Sequence, residues 1–149
     1  MDEKERFLGH LRKVHLRFSR FYARVLAQAG ISLPQYALLN ELAHAESMPM
    51  TEVSGRLHIT KPAVTHLVDR LEKAGLLKRV PYPKDRRVYL VEIQPRGRQL
   101  VREAQEKALN IFLKTLAQFS NEERKIMGRF YELLAQVIDD ILAKNGGKS

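Results

Sequence analysis

Apolar and polar positions alternate along the chain in helical and strand-like patterns. From Glu3 to Ala29, the residues Phe7, Leu11, Val14, Phe18, Phe21 and Val25 recur at intervals of 4, 3, 4, 3 and 4, which predicts one long helix with a coiled-coil-type seam. Leu8, His15, Tyr22 and Leu26 lie beside the seam and widen it beyond what one partner helix needs. Gly30 supplies the C-terminal stop. Ser32 and Gln35 have capping-box spacing and predict a second helix to about Ala45, with Tyr36, Leu38, Leu39 and Leu42 buried. Ser47 to Met50 reads as a short extended link. Thr51 is expected to cap a short third helix with Val53 and Leu57 inward and Ile59 following. Thr60 is expected to cap a fourth, from Lys61 to about Ala74, in which Val64, Leu67, Val68 and Leu71 share one face and Gly75 ends the run.

The period then changes. Leu76 to Val80 and Val88 to Ile93 are β-type runs joined by Pro81 to Arg87. Tyr89, Val91 and Ile93 face one way and Val88, Leu90 and Glu92 the other, as in a half-buried antiparallel strand. Pro95 suits the first turn of a fifth helix reaching about Gln118. Ser120 with Glu123 forms a further capping box, and a last helix carries Met127, Phe130, Leu134, Val137 and Ile141 at intervals of 3, 4, 3 and 4 before a tail expected to fray from Asn145. The expected fold is mainly α with a small β-hairpin wing, a winged helix-turn-helix flanked by long N- and C-terminal helices. A single domain is expected over 1–149: a long helix at 1–31, the winged helix-turn-helix lobe at 32–94, and two further helices with a frayed tail at 95–149.

Composition narrows the function. With no cysteine there is no disulfide framework, thiolate zinc site or thiol redox chemistry. No apolar run approaches the roughly 20 residues that span a bilayer, and the acidic start MDEKERF lacks a secretory apolar region, so a cytoplasmic protein without a membrane partner is expected. The net charge of +9 and pI near 10.0 suggest a polyanionic partner. The excess is diffuse, at +4, +2 and +3 over residues 1–33, 34–94 and 95–149. A binding face must therefore come from folding or from local clusters such as Lys78, Arg79, Lys84, Arg86 and Arg87.

The helix pair followed by a basic hairpin is the constellation that carries function. The second helix of such a pair can enter a B-DNA major groove while the hairpin tip reaches backbone or the adjacent minor groove. Thr60, Lys61, Pro62, Thr65, His66 and Arg70 lie away from the apolar face. Lys61 or His66 can donate to guanine, Thr65 can bond a base edge or touch a thymine methyl, and Arg70 is better placed for phosphate. A charged helix face alone is usually just solvated; fused to the hairpin, it points to double-stranded DNA, because two independent features then need the same partner. Asp85 is either the turn residue of the hairpin or a carboxylate that steadies one of Arg86 and Arg87 while Lys84 and the other cation project. The two apolar seams at opposite ends of the chain point to a homodimer, with an intramolecular bundle as the alternative.

These residues carry a family resemblance. The order ISLPQYALLNELA, ITKPAVTHLVDRLEKAGLLKR, PKDRRVYLVEI and a helix beginning near RGRQL resembles the MarR family of transcription regulators over nearly the whole chain. Its most specific part runs from Leu57 to Gly97, with Gly97 where the family usually has a glycine. Ile93-Gln94-Pro95 departs from the usual Leu-Thr and leaves the local helix cap without its threonine. The resemblance implies a homodimer built from the first, fifth and sixth helices on a pseudo-palindromic operator, and repression relieved by a small aromatic or anionic ligand. The Asp-x-Arg spacing of the family pairs Asp85 with Arg87. The ligand site at the junction of dimer helices and lobe would draw on His15, Arg17, Tyr22 and Tyr36, plus residues early in the fifth helix. Core packing is the competing role for the two tyrosines.

Other classes find less support. The five histidines form no i, i+4 pair, so neither metal nor other cofactor is expected. The C-terminal Gly146-Gly147-Lys148-Ser149 resembles the end of a phosphate loop, but Leu142 stands where the first glycine belongs. No catalytic residue is assigned and no enzyme is expected. The alternative function is a winged-helix module that binds RNA or a protein partner, with no ligand response.

Overall fold

The computed structural model describes residues 2–145. The C-terminal tail from Gly146, and with it the expected fraying and the loop-like glycines, lies outside the described residues. Helix α1 (Glu3–Gln28) ends at Gly30, whose φ of +73° is the left-handed conformation that closes a helix. Helix α2 (Leu33–Ala45) begins with the expected box: the Ser32 N–H donates to Gln35 Oε1 at 2.8 Å and the Gln35 N–H to Ser32 Oγ at 3.4 Å. Gln35, only 8% exposed, is thus a buried polar side chain with its partner in place, while Tyr36, expected inside, is half-buried.

Three expectations change between α2 and α5. Ser47–Pro49 is strand β1, rather than a link, and lies antiparallel to β3 with Met48 opposite Val91. Helix α3 (Met50–Leu57) starts two residues earlier than a Thr51 cap would place it, with Pro49 at the cap position and no side-chain cap bond. Pro49 belongs to both the strand end and the helix start, which leaves Thr51 inside the helix. The hairpin of β2 (Leu77–Tyr82) and β3 (Asp85–Ile93) turns at Pro83-Lys84, a much tighter tip than Pro81 to Arg87. Sheet order is β1-β3-β2, with a bulge between Pro81 and Tyr82. Pro81 therefore sits on an edge strand, where a missing N–H is tolerated.

Helix α4 (Lys61–Lys73) buries Val64, Leu67, Val68 and Leu71, as its spacing requires, and Gly75 at φ +71° ends it. These side chains share one core with Leu26 of α1, Leu38, Leu39 and Leu42 of α2, Val53 of α3, Val91 of β3, and Val101 of helix α5 (Pro95–Leu116). At the start of α5 the cap lacks threonine, and the Gln94 backbone serves instead: its carbonyl accepts the Arg98 N–H at 3.0 Å and its N–H donates to the Leu76 carbonyl at 3.0 Å. Gly97 is buried in the first turn of α5, where a Cβ would run into the Leu76 carbonyl oxygen and lie 3.1 Å from Ile93 Cγ1.

Packing divides the chain inside α5, one unit ending at Ala108 and the other beginning at Leu109. The second unit holds the end of α5 and helix α6 (Asn121–Asn145), whose Ser120–Glu123 box is formed at 2.7 and 3.3 Å. Both seams are left largely in solvent: Phe7 is 52% exposed and Val137 54%, with Leu11, Val14, Phe130, Leu134 and Ile141 similar.

Candidate nucleic-acid interface

A three-residue turn, His58 to Thr60, joins α3 to α4. His58 takes the left-handed conformation at φ +52°. Ser54 closes the turn twice, its hydroxyl donating to the Ile59 carbonyl at 2.6 Å and its carbonyl accepting the Ile59 N–H at 3.2 Å. Thr60 Oγ1 then accepts the Ala63 N–H at 3.4 Å, which starts α4 where the sequence places it. With one face of α4 fixed in the core, Thr60, Lys61, Pro62, Thr65, His66 and Arg70 are all exposed. They form a polar surface at and after the helix N-terminus, where free N–H groups and the helix dipole favour a phosphate. The Thr65 hydroxyl donates to the Lys61 carbonyl at 3.3 Å, leaving its methyl and lone pairs for a ligand.

At the wing, Lys84, Asp85, Arg86 and Arg87 are exposed. Asp85 does not hold a guanidinium: its Oδ1 accepts the Arg87 backbone N–H at 3.0 Å, and among the described residues no ion pair reaches it. The Asp-x-Arg spacing is thus satisfied through the main chain, which tightens the turn and leaves the Arg86 and Arg87 side chains without an acidic partner.

The remaining members of the expected basic cluster have other tasks. Lys78 Nζ lies 3.4 Å from Glu92 across the β2–β3 ladder. Arg79, with its side chain only 21% exposed, pairs with Asp69 and, at 2.7 Å, with Glu72 of α4, while its backbone N–H donates to Glu72 at 2.7 Å. That backbone N–H, together with the guanidinium, holds the Glu72 carboxyl below its ordinary range against an opposing desolvation. Sequence reasoning missed this clamp. Its signal was present in Asp69 and Glu72, three apart on one helix, but Arg79 reaches them only because β2 doubles back along α4.

Of the residues expected at a ligand site, the structure brings two together. Tyr22 and Tyr36 have ring centroids 5.9 Å apart, and burial, then the neighbouring Tyr22, raises the Tyr36 phenol above its ordinary value. His15 and Arg17 are exposed on α1; His15 is two turns from Tyr22, and Arg17 lies on a different side of the helix. A separate cleft of about 140 Å³ opens between α1 and α5, lined by Val25, Leu26, Leu100, Glu103, Ala104 and Lys107. Among the described residues no group of three or more histidines and carboxylates is gathered to hold a metal ion, and no helix is long and apolar enough to cross a membrane.

A short helix, a tight turn, a second helix with its polar face outward and a projecting basic hairpin define a winged helix-turn-helix protein. Residues 31–89 match the model of the MarR family. YsmB of Bacillus subtilis (strain 168), described as an uncharacterized HTH-type transcriptional regulator, is 29% identical over 119 residues, 80% of each chain. A MarR family protein from Bacillus stearothermophilus superposes with a TM-score of 0.79 at 26% identity, over 93% of this chain and 99% of that one. Streptococcus pneumoniae FabT, solved in complex with DNA, gives a TM-score of 0.79 at 23% identity over the same shares. Over residues 31–89, the helix-turn-helix and most of the wing, the chain is similar to the MarR family. It is a DNA-binding transcriptional regulator and not an enzyme.

Proposed function

We propose that the protein acts in the cytoplasm as a homodimer that reads a pseudo-palindromic operator in double-stranded DNA, represses transcription by occupying it, and is released by a small aromatic or anionic ligand. The observation that carries the DNA reading is the pairing of the exposed N-terminal face of α4 with a wing whose Lys84, Arg86 and Arg87 have no acidic partner. Lys61, Thr65 and His66 would contact base edges, while Thr60, Pro62, Arg70 and the Asp85-tightened wing position the lobe on the backbone. The exposed seams of α1 and α6 support the dimer, since apolar rows of that length are rarely left in water. A dimer with two lobes matches half-sites about one helical turn, roughly 34 Å, apart. Occlusion is the simplest consequence of such occupancy at a promoter.

Selection of bound sites from random duplex DNA tests this directly. Inverted repeats with one-turn spacing are expected; unrelated sequences, or a preference for single-stranded RNA, would overturn it. For the ligand, the Tyr22–Tyr36 pair supports an aromatic compound, with His15 on the same side of α1 two turns away and Arg17 pointing elsewhere. A bound ligand must favour a lobe spacing that fits the operator poorly, because only different affinities for two states shift a population. Thermal shift against phenolic acids, followed by DNA release, is the measurement, and stabilisation without loss of DNA affinity would sink the release mechanism.

A further inference from the structure

Helix α1 carries a charged surface that the DNA-reading lobe does not use. From Arg6 to Asn40 the chain contains no aspartate or glutamate. Within that stretch Arg6, His10, Lys13, Arg17, Arg20 and Arg24 recur at intervals of 4, 3, 4, 3 and 4, each one position ahead of a seam residue. At 100° and 1.5 Å per residue they make a single stripe about 27 Å long. All six are exposed, and among the described residues none of them enters an ion pair.

The opposite side of the helix shows where the stripe points. Leu26 is 1% exposed and Tyr22 stacks toward Tyr36 of α2, so that side of α1 turns into the core. Arg17 and Leu26 are nine residues apart, about 180° around the helix, so the stripe faces away from the core. Leu26 and Val64 belong to that same core, and the reading face of α4 also points away from it. Like charges at i, i+3 and i+4 spacing repel and weaken a helix, a standing cost that a bound polyanion removes.

We propose that this stripe is a second duplex-binding surface, which grips the phosphates of a DNA segment other than the one read by α4 and the wing. Arginine predominates in it, and the planar guanidinium suits phosphate oxygens. Contacts to phosphate carry no sequence information, so a grip made through them is independent of sequence. A lipid surface would need the neighbouring apolar seam as its anchor, and the dimer proposed above uses that seam. The choice of polyanion rests on that proposal. Two stripes per dimer would let an operator-bound regulator hold a second duplex.

The test immobilises one selected duplex, loads the full-length protein, and measures capture of a second labelled duplex of unrelated sequence. Capture is expected for the wild type. In the Lys13→Gln/Arg20→Gln/Arg24→Gln variant it falls at least tenfold, while binding to the first duplex changes less than twofold. The salt slope of capture also flattens by about 0.9 for each phosphate no longer neutralised. Normal first-duplex binding with no capture by the wild type, or equal capture by the variant, overturns the stripe and leaves the operator reading intact. Failure to bind either duplex removes both. Sedimentation and anionic vesicles supply the controls: a variant that dissociates to monomers places the stripe against a partner copy, and a wild type that floats with phosphatidylserine vesicles but captures no duplex assigns it to lipid. Either result overturns the proposal.

Discussion

At Gly97 the first turn of α5 crosses Leu76 so closely that the Leu76 carbonyl, already accepting the Gln94 N–H, occupies the space a side chain would need. Backbone cannot yield as a flexible side chain does, so Gly97→Ala should destabilise the protein by about 1–3 kcal/mol through overpacking. A urea titration checks it: a lower midpoint with unchanged slope is expected, and an unchanged midpoint would mean that α5 shifts freely. The glycine was visible in the sequence through family resemblance, but its reason lay in a close approach between residues 21 positions apart. For His66, exposed one turn into α4, His66→Ala should alter preference at one or two base positions by about 1–3 kcal/mol for each base hydrogen bond removed. Site selection with the variant reads this out, and identical selected sites would remove His66 from the reading face.

At the level of elements, the wing is joined to α4 by Arg79, which spans Asp69 and Glu72. The clamp commits the Arg79 guanidinium to two carboxylates, so Arg79 is not a free cation beside the wing. Partly exposed pairs are worth up to about 1 kcal/mol each, enough to slow local opening of the hairpin without deciding global stability. Arg79→Met should therefore speed amide exchange in β2 several-fold and leave the core amides little changed. The pH dependence follows from Glu72, whose folded-state pKa is lowered chiefly by the Arg79 backbone N–H. Its contribution is complete above the ordinary carboxylate range and is lost as pH falls through the lowered value, because the unfolded chain binds the proton more readily. Wild-type β2 protection should fall across that acid window. A Glu72→Gln variant lacks that titration, so an equal acid loss in it would assign the effect to another group.

At the level of the whole molecule, the proposed dimer and the proposed operator contacts make separate predictions. Val137→Glu places a charge in the α6 seam, where the apolar row is exposed in the single chain. It should halve the sedimentation mass and abolish tight binding to a symmetric site, while a stable dimer would place the interface elsewhere. Arg86→Ala/Arg87→Ala should weaken binding to every duplex alike and flatten the logarithmic salt dependence by about 2 if each arginine neutralises one phosphate. An unchanged slope would mean that the wing stays off the backbone.

Local chemistry alone determined much of the chain. Helix starts at Ser32, Thr60 and Ser120, stops at Gly30 and Gly75, and the buried row of α4 depend on residues within a few positions of one another. Capping and periodicity are short-range effects, so a linear reading recovers them, and with them the helix-turn-helix and its polar outer face. Other features depended on segments far apart in sequence. Ser47–Pro49 became a strand only because β3 offered it an edge, Arg79 left the basic cluster only because β2 returned along α4, and Asp85 found its partner in the main chain once the turn closed at Pro83-Lys84. Tertiary structure decided these because an ion pair, a ladder or a turn bond forms with whichever group the fold brings within about 3 Å, and sequence spacing does not state that distance.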